Sequence, residues 1–194
     1  MAKKIGLYGG TFDPIHHAHL ILAREALEEL GLEQIVFVPA ALSPHKLEEQ
    51  PTAPAIRMEM LRAAIGGEPR FSIDARELDR PPPSYTIETV EQFACESDCQ
   101  IFYLIGSDNL ARLNTWHRID DLRRLVQFVV LDRGATPANS EFPTVRRQID
   151  ISATGIRNRV ATHRSIRYLV PPAVEEIIQR QQLYQEPEKS PQKN

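Results

Sequence analysis

Short apolar runs alternate along the chain with longer segments in which apolar residues recur every three or four positions. The runs predict buried strands, and the periodic segments predict helices that bury one face. Predicted strands span residues 5–8, 35–38, 71–73, 100–105 and 126–131, with a short last strand at 149–151. Predicted helices span residues 20–30, 55–65 and 171–184. Another helix, capped by Ser84 or Thr86, is predicted to end near residue 96, and short helices are predicted after Asp108 and after Ser152.

Strands that alternate with helices and are apolar almost throughout favour an open parallel sheet with helices on both faces. We therefore predict an α/β fold, with a single Rossmann-like domain over residues 1–185 that ends in a C-terminal helical segment. The polar, proline-containing residues 186–194 are predicted to form a disordered tail. Ligands of such sheets bind beyond the carboxyl ends of the strands. Polar or glycine-rich tripeptides at 9–11, 106–108 and 152–154 are expected to converge there.

Composition narrows the class of protein. The chain has 194 residues, of which 42% are hydrophobic and 25% charged, and a net charge of −3. This balance argues against a general nucleic-acid or membrane binder, and no apolar run reaches the length of a membrane span. The N-terminus lacks the apolar core and cleavage site of a signal peptide, which predicts a cytoplasmic protein. Cys95 and Cys99 have no second pair with which to form a zinc site, so both are expected to be ordinary thiols.

The candidate chemistry begins in residues 4–20, KIGLYGGTFDPIHHAHL. Gly9-Gly10 ends a strand and exposes backbone N–H groups, and His16 and His19 lie one turn apart at a predicted helix N-terminus, where anions bind. The chain has neither a P-loop nor a GxGxxG turn, so other groups must hold phosphates. Nucleotidyl transfer needs mainly alignment and stabilisation of negative charge, which two histidines, a loop lysine and an arginine would supply. A surface role or a chance metal pair is the alternative, and His17 is interpreted as surface or packing.

Two motifs then indicate a family. GGTFDPIHHAH resembles the HxGH signature of the nucleotidyltransferase superfamily, and ISATGIR resembles its second, phosphate-binding motif. FVPAALSPHK, PPPSYT, IGSDNL, TWH and SIRYLVPPAVEEII with its QLY ending extend a resemblance to the bacterial nicotinate-nucleotide adenylyltransferases over nearly the whole chain. The resemblance implies that ATP and nicotinate mononucleotide react to give nicotinate adenine dinucleotide and pyrophosphate, with Mg²⁺ on the triphosphate. It implies neither a nucleic-acid nor a membrane partner, and leaves the oligomeric state open, including a homodimer.

The resemblance also implies roles for individual residues. His16 and His19 would stabilise the transition state at the α-phosphate. The residues implied in ATP binding are Gly10, Thr11, Phe12, Gly106, Asp108, Ser152 and Arg157. The residues implied in mononucleotide binding are His45, Lys46, Ser84, Tyr85, Thr86 and Trp116, the last stacking on the pyridine ring. No protein ligand to a metal is implied.

Several of these residues also have plainer interpretations. Asp108 or Ser152 would serve as a helix cap, Arg157 as a solvated charge, Trp116 as a packing aromatic, and residues 84–86 as a turn. One position departs from the family pattern, because Ala18 stands where the signature has glycine. Alanine costs no strain in a helix, so we expect activity to survive. Two alternatives stay open, a relative that uses another phosphate acceptor and a catalytically silent nucleotide-binding protein.

Overall fold

The computed structural model describes residues 2–42 and 50–185. Its sheet has six strands in the order β3-β2-β1-β4-β5-β6, and every neighbouring pair is parallel. The strands are β1 Lys3–Gly10, β2 Gln34–Pro39, β3 Phe71–Ile73, β4 Cys99–Gly106, β5 Gln127–Asp132 and β6 Thr144–Arg146. This is the doubly wound order of dinucleotide-binding folds, and the parallel pairing confirms the open parallel sheet that the alternating pattern predicted.

Helices cover both faces of the sheet. They are α1 His17–Glu29, α2 Pro54–Ile65, α3 Thr86–Glu96, α4 Ile119–Leu125, α5 Ala153–Ala161 and α6 Pro172–Arg180, with a 3-10 helix at Ser107–Thr115. Successive residues of β1 divide between two cores, because Leu7 packs with α3 and α4 while Tyr8 packs with α1, α2 and α6. The central strands are therefore buried on both faces, which explains their unbroken apolar runs.

The direction of winding reverses at β1. This strand pairs with β2 on one side and with β4 on the other, so a crevice opens beyond the carboxyl ends of β1 and β4. The cleft described below lies there. Within the described residues, no helix combines the length and apolarity needed to cross a membrane.

Two elements differ from the sequence prediction. The last strand is Thr144–Arg146 rather than residues 149–151, because only Val145 of the strand is buried and a single buried residue leaves no apolar run. Ile149 instead donates its N–H to the Arg133 carbonyl at 3.1 Å. The final helix ends at Arg180 rather than at residue 184, and residues 181–184 form a turn whose Leu183 and Tyr184 pack against the core. The predicted tail at 186–194 lies outside the described residues.

Candidate active site

A cleft of about 770 Å³ opens at the carboxyl edge of the sheet. The three tripeptides at 9–11, 106–108 and 152–154 all contribute to its lining. The sequence-predicted site residues that line it are Gly10, Thr11, His16, His19, Ser84, Tyr85, Thr86, Gly106, Asp108, Trp116, Ser152 and Arg157. Phe12 is not among the lining residues, since its ring packs in the core against Tyr8 and Phe37, and the role implied for its backbone stays a prediction. His45 and Lys46 lie outside the described residues.

The two motif histidines form a stacked pair at the start of α1. Their ring centroids are 3.7 Å apart and their planes are inclined by 20°. The His16 backbone N–H donates to Nδ1 of His19 at 3.3 Å, so the neutral His19 ring carries its proton on Nε2, as a donor toward ligands. Nδ1 of His16 is buried and has no hydrogen-bond partner among the described residues. His17 lies in a separate groove beside Arg167 and Tyr168.

Both histidines are held neutral. Burial, and then the Arg133 charge, lower the pKa of His16 to about 3. Desolvation, His16 and Arg133 lower the pKa of His19 well below its ordinary value. Arg133 directly follows β5, lines the cleft, and donates from Nη1 to the Ile151 carbonyl at 2.7 Å. It adds a fixed positive charge that sequence reasoning did not single out, although its place at a strand end was a usable signal.

Because the histidines are buried in their neutral form, we expect the folding stability of the free protein to fall in acid. The pKa of His16 is about 3 in the folded state against about 6.5 in the unfolded chain, so only the unfolded chain takes up the proton as pH falls below 6.5. The histidine's contribution to stability is therefore present above pH 6.5 and is lost as pH falls toward 3. Relative to its value well above pH 6.5, the free energy of unfolding in urea at pH 5.5 should fall by about 1.4 kcal/mol more in the natural protein than in the variant His16→Asn, which keeps only the contribution of His19. Equal pH dependence in the two proteins would contradict the buried neutral state.

Ser84 ties the far wall of the cleft to the segment after β2. Its Oγ accepts the Ala41 N–H at 3.0 Å, and its own N–H donates to the Leu42 carbonyl at 3.0 Å. The prediction that Ser84 or Thr86 caps α3 was wrong, because the N-cap residue is Tyr85, without a side-chain capping bond. Ser84 is engaged with another segment, and Thr86 begins the helix with its Oγ1 3.4 Å from the Tyr103 hydroxyl.

Trp116 follows the 3-10 helix and lines the same wall. Its ring packs edge-on against Tyr103, with centroids 6.0 Å apart. Its indole Nε1 is buried and has no hydrogen-bond partner within the part of the chain that the structure describes. Trp116 thus joins the core on one side and the cleft on the other, so its packing and ligand-stacking interpretations are compatible.

Glu77 is a second residue that sequence reasoning missed. It is 5% exposed, lines the cleft, and accepts a hydrogen bond from Thr89 Oγ1 at 2.7 Å. Burial raises the pKa of Glu77, opposed by the Thr89 hydrogen bond and the Arg80 charge. Arg80 also donates to Thr89. Glu77 lies four residues beyond the short strand β3, in an irregular segment that belongs to none of the recognised motifs, so its position after a strand was only a weak signal.

The opposite wall is formed by the N-terminus of α5. Ser152 caps this helix, as its sequence position predicted, because its Oγ accepts the Gly155 N–H at 3.1 Å. Arg157 reaches from α5 to donate from Nη1 to the Asp13 carbonyl at 2.8 Å. Unpaired N–H groups and the helix dipole make this wall suited to an anionic group.

Ala18 is the second residue of α1 and is 1% exposed. Since a helical alanine needs no special backbone geometry, the variant Ala18→Gly should lose about 0.5–1 kcal/mol of stability and keep its turnover within a few-fold. Ala55→Gly is a matched control, because Ala55 is the second residue of α2 and is exposed. Thermal melts and steady-state rates check both variants. An inactive natural protein that Ala18→Gly makes active would contradict this prediction.

The described residues contain no cluster of three histidine, cysteine or acidic side chains that could hold a metal ion. The chain therefore offers no resident metal cage in its described part. A divalent cation used by a nucleotidyltransferase would have to be held largely by the phosphates of its substrate.

The sequence and the fold of this chain are similar to those of known proteins. Residues 7–159 match the family described as cytidylyltransferase-like. A Geobacillus thermodenitrificans protein named as a probable nicotinate-nucleotide adenylyltransferase is 43% identical over 185 residues, covering 93% of this chain and 86% of its own length. The nicotinate-nucleotide adenylyltransferase of Bacillus subtilis is 36% identical over 187 residues, covering 94% and 99%. The structure of Plasmodium falciparum nicotinic acid mononucleotide adenylyltransferase complexed with NaAD superposes with a TM-score of 0.78 at 18% identity, covering 94% of this chain and 97% of that one.

Proposed function

The chain belongs to the cytidylyltransferase-like family and, within it, to the nicotinate-nucleotide adenylyltransferases, and from this we infer that it transfers the adenylyl group of ATP to nicotinate mononucleotide. The products are nicotinate adenine dinucleotide and pyrophosphate, a step in the biosynthesis of NAD. The observation that carries this function is the near-complete alignment with named relatives, and the cleft supplies groups that fit the chemistry.

In the reaction, a 5′-phosphate oxygen of the mononucleotide attacks the α-phosphorus of ATP. The bond between the α-phosphorus and the bridging oxygen breaks, and pyrophosphate leaves with the electron pair. We propose that Nε2–H of His19 donates to an α-phosphate oxygen and that Arg133 adds positive charge beside it. We propose that Ser152, Arg157 and the start of α5 hold the β- and γ-phosphates. Mg²⁺ would enter with the triphosphate.

For the acceptor, we propose that Trp116 offers its face to the pyridine ring while residues 84–86 contact the ring and its carboxylate. The support is positional, since these residues line the cleft on the wall opposite α5. We also propose a cytoplasmic location, because Cys95 and Cys99 are both free thiols, as is usual in a reducing compartment.

The test is a pyrophosphate-release assay with ATP and Mg²⁺ that compares three acceptors. Nicotinate mononucleotide should be used faster than nicotinamide mononucleotide and phosphopantetheine, and ATP alone should release no pyrophosphate. Equal rates with the first two acceptors would remove the preference for the acid. A preference for phosphopantetheine would favour a different acceptor class, and ATP binding without any release would favour a silent relative.

A further inference from the structure

Asp13 lies in the turn between β1 and the catalytic histidines, and both of its carboxyl oxygens are engaged. Oδ1 accepts the Tyr184 hydroxyl at 2.5 Å, and Oδ2 accepts the Thr52 N–H at 2.9 Å. The side chain is 7% exposed. An O–H···O contact of this length to a carboxylate belongs to the stronger class of hydrogen bond. Asp13 thus joins the motif turn to two segments that are remote in sequence.

The same turn is held at its backbone by two arginines. Arg57 donates to the Thr11 carbonyl at 2.8 Å, and Arg157 donates to the Asp13 carbonyl at 2.8 Å. Three elements therefore fix the turn: α2, α5 and the C-terminal segment. Because His16 lies three residues after Asp13 and is the N-cap residue of α1, the position of the turn sets the position of the stacked histidines.

Tyr184 is the contribution of the C-terminal segment. Its backbone has a φ of 61°, a left-handed conformation that a bulky residue rarely adopts. Its side chain lines the cleft and packs against the core around α1. Burial and the neighbouring Asp13 raise the pKa of Tyr184, so the hydroxyl keeps its proton and remains a donor. An uncommon backbone conformation maintained beside a reaction cleft points to a role there.

We propose that Tyr184 is a positioning residue for adenylyl transfer: its hydroxyl holds Asp13 and so fixes the turn from which His16 and His19 reach the cleft. This inference rests on the proposed function. It makes the turn after α6 a working part of a site whose two signature motifs, GGTFDPIHHAH and ISATGIR, lie elsewhere in the chain.

The variant Tyr184→Phe tests this by removing one hydroxyl. We expect kcat to fall tenfold or more, the KM for nicotinate mononucleotide to change less than threefold, and the melting temperature to change by a few degrees at most. Tyr168→Phe is the matched control, because Tyr168 also has a positive φ, of 68°, but is 79% exposed. Its kcat, KM and melting temperature should match those of the unaltered protein. A kcat for Tyr184→Phe within twofold of the unaltered protein would overturn the inference.

A mutant cycle separates this role from simple packing. If the hydroxyl acts through Asp13, then adding Tyr184→Phe to Asp13→Ala should lower kcat no further. Independent, additive losses would overturn the inference.

Hydrogen exchange supplies a readout that needs no substrate. In Tyr184→Phe, the Thr52 amide, which donates to Asp13, should exchange about tenfold faster, while amides of β1 keep their protection. Unchanged exchange at Thr52 would overturn the inference. A failure of the unaltered protein to make the dinucleotide would instead overturn the proposed function, and the exchange experiment would still decide whether Tyr184 holds the turn.

Discussion

Replacing His19 with alanine should lower kcat by about 10²–10³-fold and leave the fold intact. The hydrogen bond from the His16 N–H to Nδ1 places the proton of His19 on Nε2, on the ring edge available to a phosphate oxygen. The hydrogen bond from Nε2–H strengthens most as negative charge accumulates on the phosphate in the transition state. The loss of this donor should therefore appear in kcat more than in KM. Steady-state pyrophosphate release measures both constants.

The neighbouring His17 is the matched control. It is a histidine of the same helix turn, but it lies in the separate groove beside Arg167 and Tyr168. His17→Ala should therefore keep normal turnover. Glutamine should replace His19 better than asparagine, because its terminal amide reaches the position of Nε2 rather than that of Nδ1. A loss of less than about tenfold in His19→Ala, near 1.4 kcal/mol, would remove His19 from the catalytic groups.

Arg57→Met should have the largest effect on stability, a loss of about 2–5 kcal/mol. Arg57 is 0% exposed, and its guanidinium donates to the Thr52 carbonyl at 2.9 Å and to the Thr11 carbonyl at 2.8 Å. Burial lowers the pKa of Arg57 and the Asp13 charge opposes that shift, so the buried cation has a nearby anion. Methionine fills similar space but leaves two carbonyls without this donor and Asp13 without the charge.

Arg62→Met is the control for this prediction, since Arg62 is exposed near the end of the same helix. Urea unfolding should show a change of about 0.5 kcal/mol or less for it. The loss of stability in Arg57→Lys should fall between the losses in Arg57→Met and Arg62→Met, because one ammonium cannot reproduce the paired geometry of a guanidinium. Equal losses for Arg57→Met and Arg62→Met would contradict a structural role for the buried arginine.

The sequence predicted the sheet well because its central strands are buried on both faces. Strands such as β4 and β5 then appear as unbroken apolar runs, and strict alternation with helices implies parallel pairing. The edge strand β6 was misplaced for the opposite reason, since only Val145 of its three residues is buried.

Only some of the residues at the cleft could be predicted from the sequence. Residues that follow a strand or belong to a motif, such as His19 and Ser152, could be found because their positions carry a local signal. Arg57 and Glu77 could not, because each is held by contacts with segments that are remote in sequence. Tyr184 ends the QLY segment of the resemblance, but its hydrogen bond to Asp13 could not be predicted. Such contacts exist only after folding brings the segments together.

The neutral state of the stacked histidines also bears on which acceptors suit the site. In the free protein, a ring whose pKa is about 3 is a poor proton acceptor near pH 7, so His16 is poorly suited to activate water or an alcohol as a general base. Phosphate monoesters need no such help, since their second ionisation is nearly complete at that pH. A nucleophile that arrives already ionised therefore matches a site whose histidines are neutral and whose His19 ring acts as a donor.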